Sequence, residues 1–114
     1  MTKNEYNAYI EALKEHGYIY MSDFHSNYYY KVIEFRDDED GNRRAVCQLL
    51  FYLLEQEDNR SGYVYYSIEP AVMVSRHIDE RLNFTIGLTK RSVEECERIA
   101  KEFLRWVDVY VDIK

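Results

Sequence analysis

Glycine is scarce in this sequence, four residues among 114, and each stands alone. Neither a Walker-type phosphate loop nor a G-x-G-x-x-G turn can be assembled from them, so the backbone cradles that hold nucleotide phosphates are missing. Proline occurs once, at Pro70, and no Pro- or Ser-rich linker, internal repeat or low-complexity tract divides the chain. Two cysteines, Cys47 and Cys96, are too few for a four-thiolate zinc site. Both fall at positions expected to be buried, and a cytoplasmic setting keeps them as thiols. No apolar run reaches the ~18 residues of a membrane span. The opening residues, MTKNEYNAYIEALKEH, also lack the apolar core of a signal peptide. The expected location is cytoplasmic, with no membrane partner.

Positive charge is in deficit as well. Twenty-one acidic side chains face 15 basic ones, a formal net charge of -6, which opposes general attraction to nucleic acid or anionic lipid. None of the six serines (Ser22, Ser26, Ser61, Ser67, Ser75, Ser92) lies in G-x-S-x-G, and Cys96 lies on an apolar helical stripe, so no nucleophile-base-acid set is assembled. No cofactor is implied. Metal ligation has one pattern behind it: Asp23 with His25, and His77 with Asp79, share the i, i+2 spacing that aims two side chains to one side of an extended segment. Both pairs fall in surface turns, which leaves them as candidates for a metal-dependent enzyme and no more. The acidic run DDEDGN fails as a calcium loop. Aligning Gly41 with the obligatory loop glycine puts Arg36 at the first ligand position and Cys47 where a bidentate Glu belongs.

What the sequence has in excess is tyrosine, 12 residues beside five Phe and one Trp. A tyrosine offers a large apolar ring with a polar tip at low entropic cost, which suits contact surfaces as well as strands. The most apolar stretch is Ala45 to Leu54, AVCQLLFYLL. As a strand, it puts Ala45, Cys47, Leu49, Phe51 and Leu53 on one face and Val46, Gln48, Leu50, Tyr52 and Leu54 on the other. Only Gln48 and the Tyr52 phenol interrupt the second set, so both faces call for cover.

The other elements are arranged around that strand. Thr2-x-x-Glu5 and Ser92-x-x-Glu95 are capping boxes, predicting helices over Lys3 to His16 and from Ser92 onward. In the second, Val93, Cys96, Ala100, Phe103, Leu104 and Val107 form an apolar stripe widened by Ile99 and Trp106, with Glu94–Arg98 and Glu97–Lys101 paired on the wet side. Strands are expected over Tyr18 to Met21, Tyr28 to Arg36, Tyr63 to Val74 and Leu82 to Leu88. Pro70 requires the fourth of the five strands to be at an edge or interrupted. The tail, DVYVDIK, reads as a frayed end or a short strand.

The expectation is a single α+β domain over residues 1–114, of order α-β-β-β-β-β-α. Its mainly antiparallel sheet of about five strands carries the N- and C-terminal helices packed on one face. In element order, length and acidity it resembles small secretion-chaperone-like α+β domains, which hold a partner chain without catalysis. The expected function is non-catalytic protein binding or assembly, as a chaperone, adaptor or inhibitor. It would act as a homodimer or on a protein partner, through a surface of Tyr28, Tyr30, Val46, Leu50, Tyr52, Leu54 and Tyr66. The alternative is a small ligand or a single nucleic-acid strand on the same tyrosines, with Lys31, Arg36, Arg43 and Arg44 nearby.

Overall fold

A computed structural model describes residues 1–75, 83–87 and 92–110, and of residues 83–86 the backbone alone. The chain is α+β: helix α1 (Lys3–Glu15), strands β1 (Ile19–Ser22), β2 (Asn27–Asp37), β3 (Arg43–Glu57), β4 (Val64–Ser75) and β5 (Asn83–Gly87), and helix α2 (Val93–Tyr110). The strands lie in sequence order, each antiparallel to the next. No described helix is long and apolar enough to cross a membrane.

Both ends of α1 are closed, the first by the capping box that the spacing singles out. Thr2 accepts from the Glu5 amide at 3.1 Å, and the Glu5 carboxylate accepts from the Thr2 amide at 3.2 Å. At the other end, Gly17 takes φ +84°. Its amide donates to Lys14 O, and the Tyr18 amide donates to Leu13 O, each at 3.0 Å. This is a Schellman closure, and Leu13 and Tyr18, which the second bond brings together, are both buried. The chain therefore leaves α1 already aimed into the core.

The core lies between the helices and one sheet face. Leu49, Phe51 and Cys47 are fully buried there, with Val72 and Val74 of β4, Tyr6 and Leu13 of α1, and Val93, Cys96, Ala100, Leu104 and Val107 of α2. Phe51 is the largest fully buried side chain, and the rings of Tyr9 and Tyr18 approach it at 5.8 and 5.3 Å. Burial pushes the Tyr9 and Tyr18 phenols up; Glu97 adds to the shift at Tyr18, whose hydroxyl donates to it at 3.3 Å. The Cys47 thiol donates to Ala100 O and is pushed up to about 11 by burial. Neither Cys47 nor Cys96 is in a disulfide, and neither has exposed surface.

Pro70 lies at an edge, one of the two alternatives expected: β5 pairs only with Ala71 to Ser75, so at Pro70 the outer side of β4 has no described neighbour, and β4 itself runs on unbroken. Three expectations need correction. The tail residues Asp108 to Tyr110 are helical. Asp108 receives a two-pronged contact from Arg36 at 2.8 and 2.7 Å, which fastens the end of α2 to β2 and holds the Asp108 carboxyl below its usual range. Trp106 does not widen the buried stripe; it is half exposed and stacks on Phe103 at 6.3 Å. The pairs along α2 also differ: Arg98 bonds Glu102, while Glu94 and Glu97 reach outward to His16 and Lys31. Leu82 and Leu88, at the ends of the last expected strand, lie outside the described residues.

Two measurements check this packing. Phe51→Ala is expected to cost about 3–5 kcal/mol in chemical denaturation, because it opens a cavity that two tyrosine rings border. The second concerns His16, whose Nδ1 lies 2.8 Å from Ala12 O and Nε2 3.0 Å from Glu94 Oε1, an arrangement in which only the imidazolium donates both bonds. The Ala12 carbonyl, more than Glu94, raises its pKa above the ordinary 6.5. A raised folded-state value stabilises fully below the unfolded value and is lost as pH rises through the folded one. The urea midpoint of the wild type should therefore fall relative to His16→Gln as pH climbs above about 6.5.

Candidate functional site

The sheet has a second face, and the strand register says which side chains share it. Residues directly opposite in a ladder point to the same side. Across β1 to β4 the pairs are Ile19↔Tyr30 and Met21↔Tyr28, then Tyr30↔Leu50 and Tyr28↔Tyr52, then Leu50↔Ala71 and Tyr52↔Glu69, with Leu54↔Ser67 beyond. The core residues Phe51, Leu49 and Val72 occupy the alternate positions, so all of these side chains face away from the helices. Among the described residues, no helix or loop lies across them.

The face is aromatic and continuous. Tyr28 touches Tyr52 with ring centroids 5.6 Å apart and Tyr30 at 6.3 Å. Leu50 is only 7% exposed and Ala71 only 8%, though neither belongs to the core cluster. Short side chains standing among tall rings are shielded by them. At the margins the shielding ends: Ile19, Met21 and Leu54 are 56%, 43% and 44% exposed. Four strands ~4.8 Å apart and about six residues of ~3.4 Å give a footprint of roughly 20 by 20 Å. That is near the size at which an apolar patch on a monomer is usually functional.

Five of the seven residues expected on this surface are on it: Tyr28, Tyr30, Leu50, Tyr52 and Leu54. Val46 and Tyr66 are not. The ladder between β2 and β3 shifts twice, leaving Ile33 of one strand and Val46 of the other without a partner. The extra residue breaks the alternation, and Val46, 4% exposed, joins the core beside Cys47. Tyr66 pairs with Glu55, an odd-numbered position, and so turns toward the helices, where its ring meets Tyr6 at 5.0 Å. Ile19, Met21, Ala71 and Met73 belong to the face and were missed. A turn placed at Asp23 to Ser26 would have found the first two, since closing Ser22 on Asn27 sets Met21 against Tyr28.

The metal candidates do not assemble among the described residues. The Asp23 carboxylate accepts from the His25 and Ser26 amides, both at 2.8 Å, and these bonds, His25 first, hold it below its usual range; it closes a turn. His77 and Asp79 lie outside the described residues. No group of three or more potential ligands occurs among the described residues. The basic residues near the tyrosines are engaged elsewhere: Lys31 lies 3.5 Å from Glu97, Arg36 holds Asp108, Arg44 holds Asp38, and Arg43 covers the Phe35 ring at 4.0 Å.

At one end of the face β2 stops while β3 continues. The pairing ends at Asn27↔Leu53, and β3 runs on to Glu57 with β4 alone beside it. The notch so formed is a cleft of about 660 Å³, walled by the turn at Asp23 to Ser26, Tyr20, Tyr52, Glu55 and Glu69.

No family model matches the chain, and neither the curated proteins nor the solved structures include a similar one.

The two sides of the sheet should respond differently to truncation. Tyr52→Thr, which keeps a strand-favouring residue but removes the contact with Tyr28, is expected to cost about 1 kcal/mol. Thermal melting alongside Phe51→Ala gives the comparison. A Tyr52 loss as large as that of Phe51 would mean that the second face is as fully packed as the first.

Proposed function

We propose that this chain is a non-catalytic protein-binding or assembly module, chaperone-, adaptor- or inhibitor-like, that works through the tyrosine face of its sheet. The observation that carries this reading is the contrast between the two sides. Helices seal the Phe51 side, while the Tyr28, Tyr52 and Leu54 side offers a contiguous apolar surface to which no described element is fitted. Hiding it against another protein is the favourable way to remove it from water.

A second copy is the simplest occupant. A two-fold axis lying in the interface plane, parallel to the sheet, would set Tyr30 and Leu50 of one copy against the same residues of the other, and the tyrosine hydroxyls supply donors and acceptors at the rim. Stable interfaces bury about 800 Å² per partner; the face, at roughly 20 by 20 Å with Ile19, Met21 and Leu54 at its margins, supplies about half of that, and the residues around it supply the rest. A cytoplasmic setting, where Cys47 and Cys96 remain reduced, fits this reading.

Sedimentation equilibrium tests it. The wild-type chain is expected to be dimeric at micromolar concentration. Tyr30→Glu combined with Met73→Glu, both half-buried on the face, should give a folded monomer with an unchanged helical and sheet spectrum. A wild-type chain that stays monomeric and retains no protein partner would overturn the proposal.

A further inference from the structure

The notch beyond Asn27 has chemistry of its own. A strand with a neighbour on one side only presents unpaired amides and carbonyls on the other. On β3 that open edge is Leu54 to Glu57, whose β4 partners are Ser67 to Val64. The cleft lies alongside its first residues, so an extended backbone has both a ladder to join and a space to enter. Side chains of an added strand would alternate between two walls. One is formed by Tyr52, Leu54 and Glu69 on the open side of the sheet, the other by Glu55, Tyr6 and Tyr20 on the helix side.

Both walls are acidic and aromatic. Glu55 and Glu69 are exposed and have no cationic partner among the described residues, and the Tyr52 and Tyr20 rings stand close by. Carboxylates and aromatic faces together select a cation: the carboxylates attract it, and the ring quadrupoles hold it once it is partly desolvated. The net charge of -6 adds long-range attraction of the same sign. A second copy is the wrong occupant, because pairing this edge with itself brings Glu55 and Glu57 of both chains together, and like charges across a ladder destabilise it.

The geometry points to a strand-addition site in which an extended, Lys- or Arg-bearing segment of a partner protein pairs with β3 at Leu54 to Glu57 and seats its cations in the notch. The site adjoins the tyrosine face and shares Tyr52 and Leu54 with it, but the two fail separately: Tyr30→Glu with Met73→Glu touches no residue that lines the notch.

The probe is a short acetylated and amidated peptide alternating arginine with valine, titrated into the labelled intact chain and followed by amide chemical shifts. Shifts should centre on Leu54 to Glu57. Binding should weaken at least tenfold with Glu55→Gln plus Glu69→Gln, and equally when alternate peptide nitrogens are methylated, which removes ladder donors but no charge. Three results would overturn the proposal: equal binding by a glutamate–valine peptide, shifts confined to Tyr28, Tyr30 and Leu50 or to the loop after Glu57, or no binding at millimolar peptide. Concentration-dependent shifts at Leu54 to Glu57 without peptide would assign the edge to a second copy and overturn it too.

Discussion

Everything in this fold is built against the fully buried ring of Phe51 and the strand that carries it. β3 pairs with β4 from Cys47 to Glu57 and with β2 from Arg43 to Leu53, and its 15 residues at ~3.3 Å each span most of the 54 Å long axis of the molecule. Without β3 the outer strands have no common neighbour and the helices have no floor. The hydrophobic term is correspondingly concentrated there: fully burying a Leu or Phe side chain is worth about 1.5–3 kcal/mol, and Cys47, Leu49 and Phe51 are all sealed on the same side.

The helices are fastened to that side by polar contacts at their ends as well as by grease. His16 joins the C-terminus of α1 to Glu94 in the first turn of α2, Tyr18 and Lys31 converge on Glu97, and Arg36 grips Asp108 near the far end of α2. These contacts are partly exposed and individually weak. Their effect is on geometry: they fix α2 along the sheet, which commits the helical cover to one face. Among the described residues the other face has only its own side chains for shelter: Leu50 is nearly buried there, and Tyr28, Tyr30 and Tyr52 around it are of intermediate exposure.

Local features were readable from the residues because their causes are local. Thr2 with Glu5 and Ser92 with Glu95 cap the helices as their spacing requires, and Gly17, Gly41 and Gly62 take the positive φ that ends a helix or turns a hairpin. Relations between strands were less legible. A period of two says which residues of one strand share a side, but which residues of the next strand join them depends on loop length and on bulges. Tyr66 was misplaced for the first reason and Val46 for the second. The helical end of α2 was hidden similarly: valines in DVYV favour a strand locally, while the Arg36–Asp108 contact that favours helix spans 72 positions of sequence. Of the proposed binding surface, the tyrosines on β2 and β3 were visible; the notch was not, because it arises from where β2 stops.

Helices seal one face of the sheet, and no described element covers the other. Hydroxyl-radical footprinting of the dilute chain, read residue by residue, tests it most directly. Strong labelling of Tyr28, Tyr52 and Leu54 is expected beside protection of Phe51 and Leu49, with the first group becoming protected as concentration rises. Protection of Tyr28, Tyr52 and Leu54 at every dilution would contradict it, since the chain's own segments would then be covering both faces.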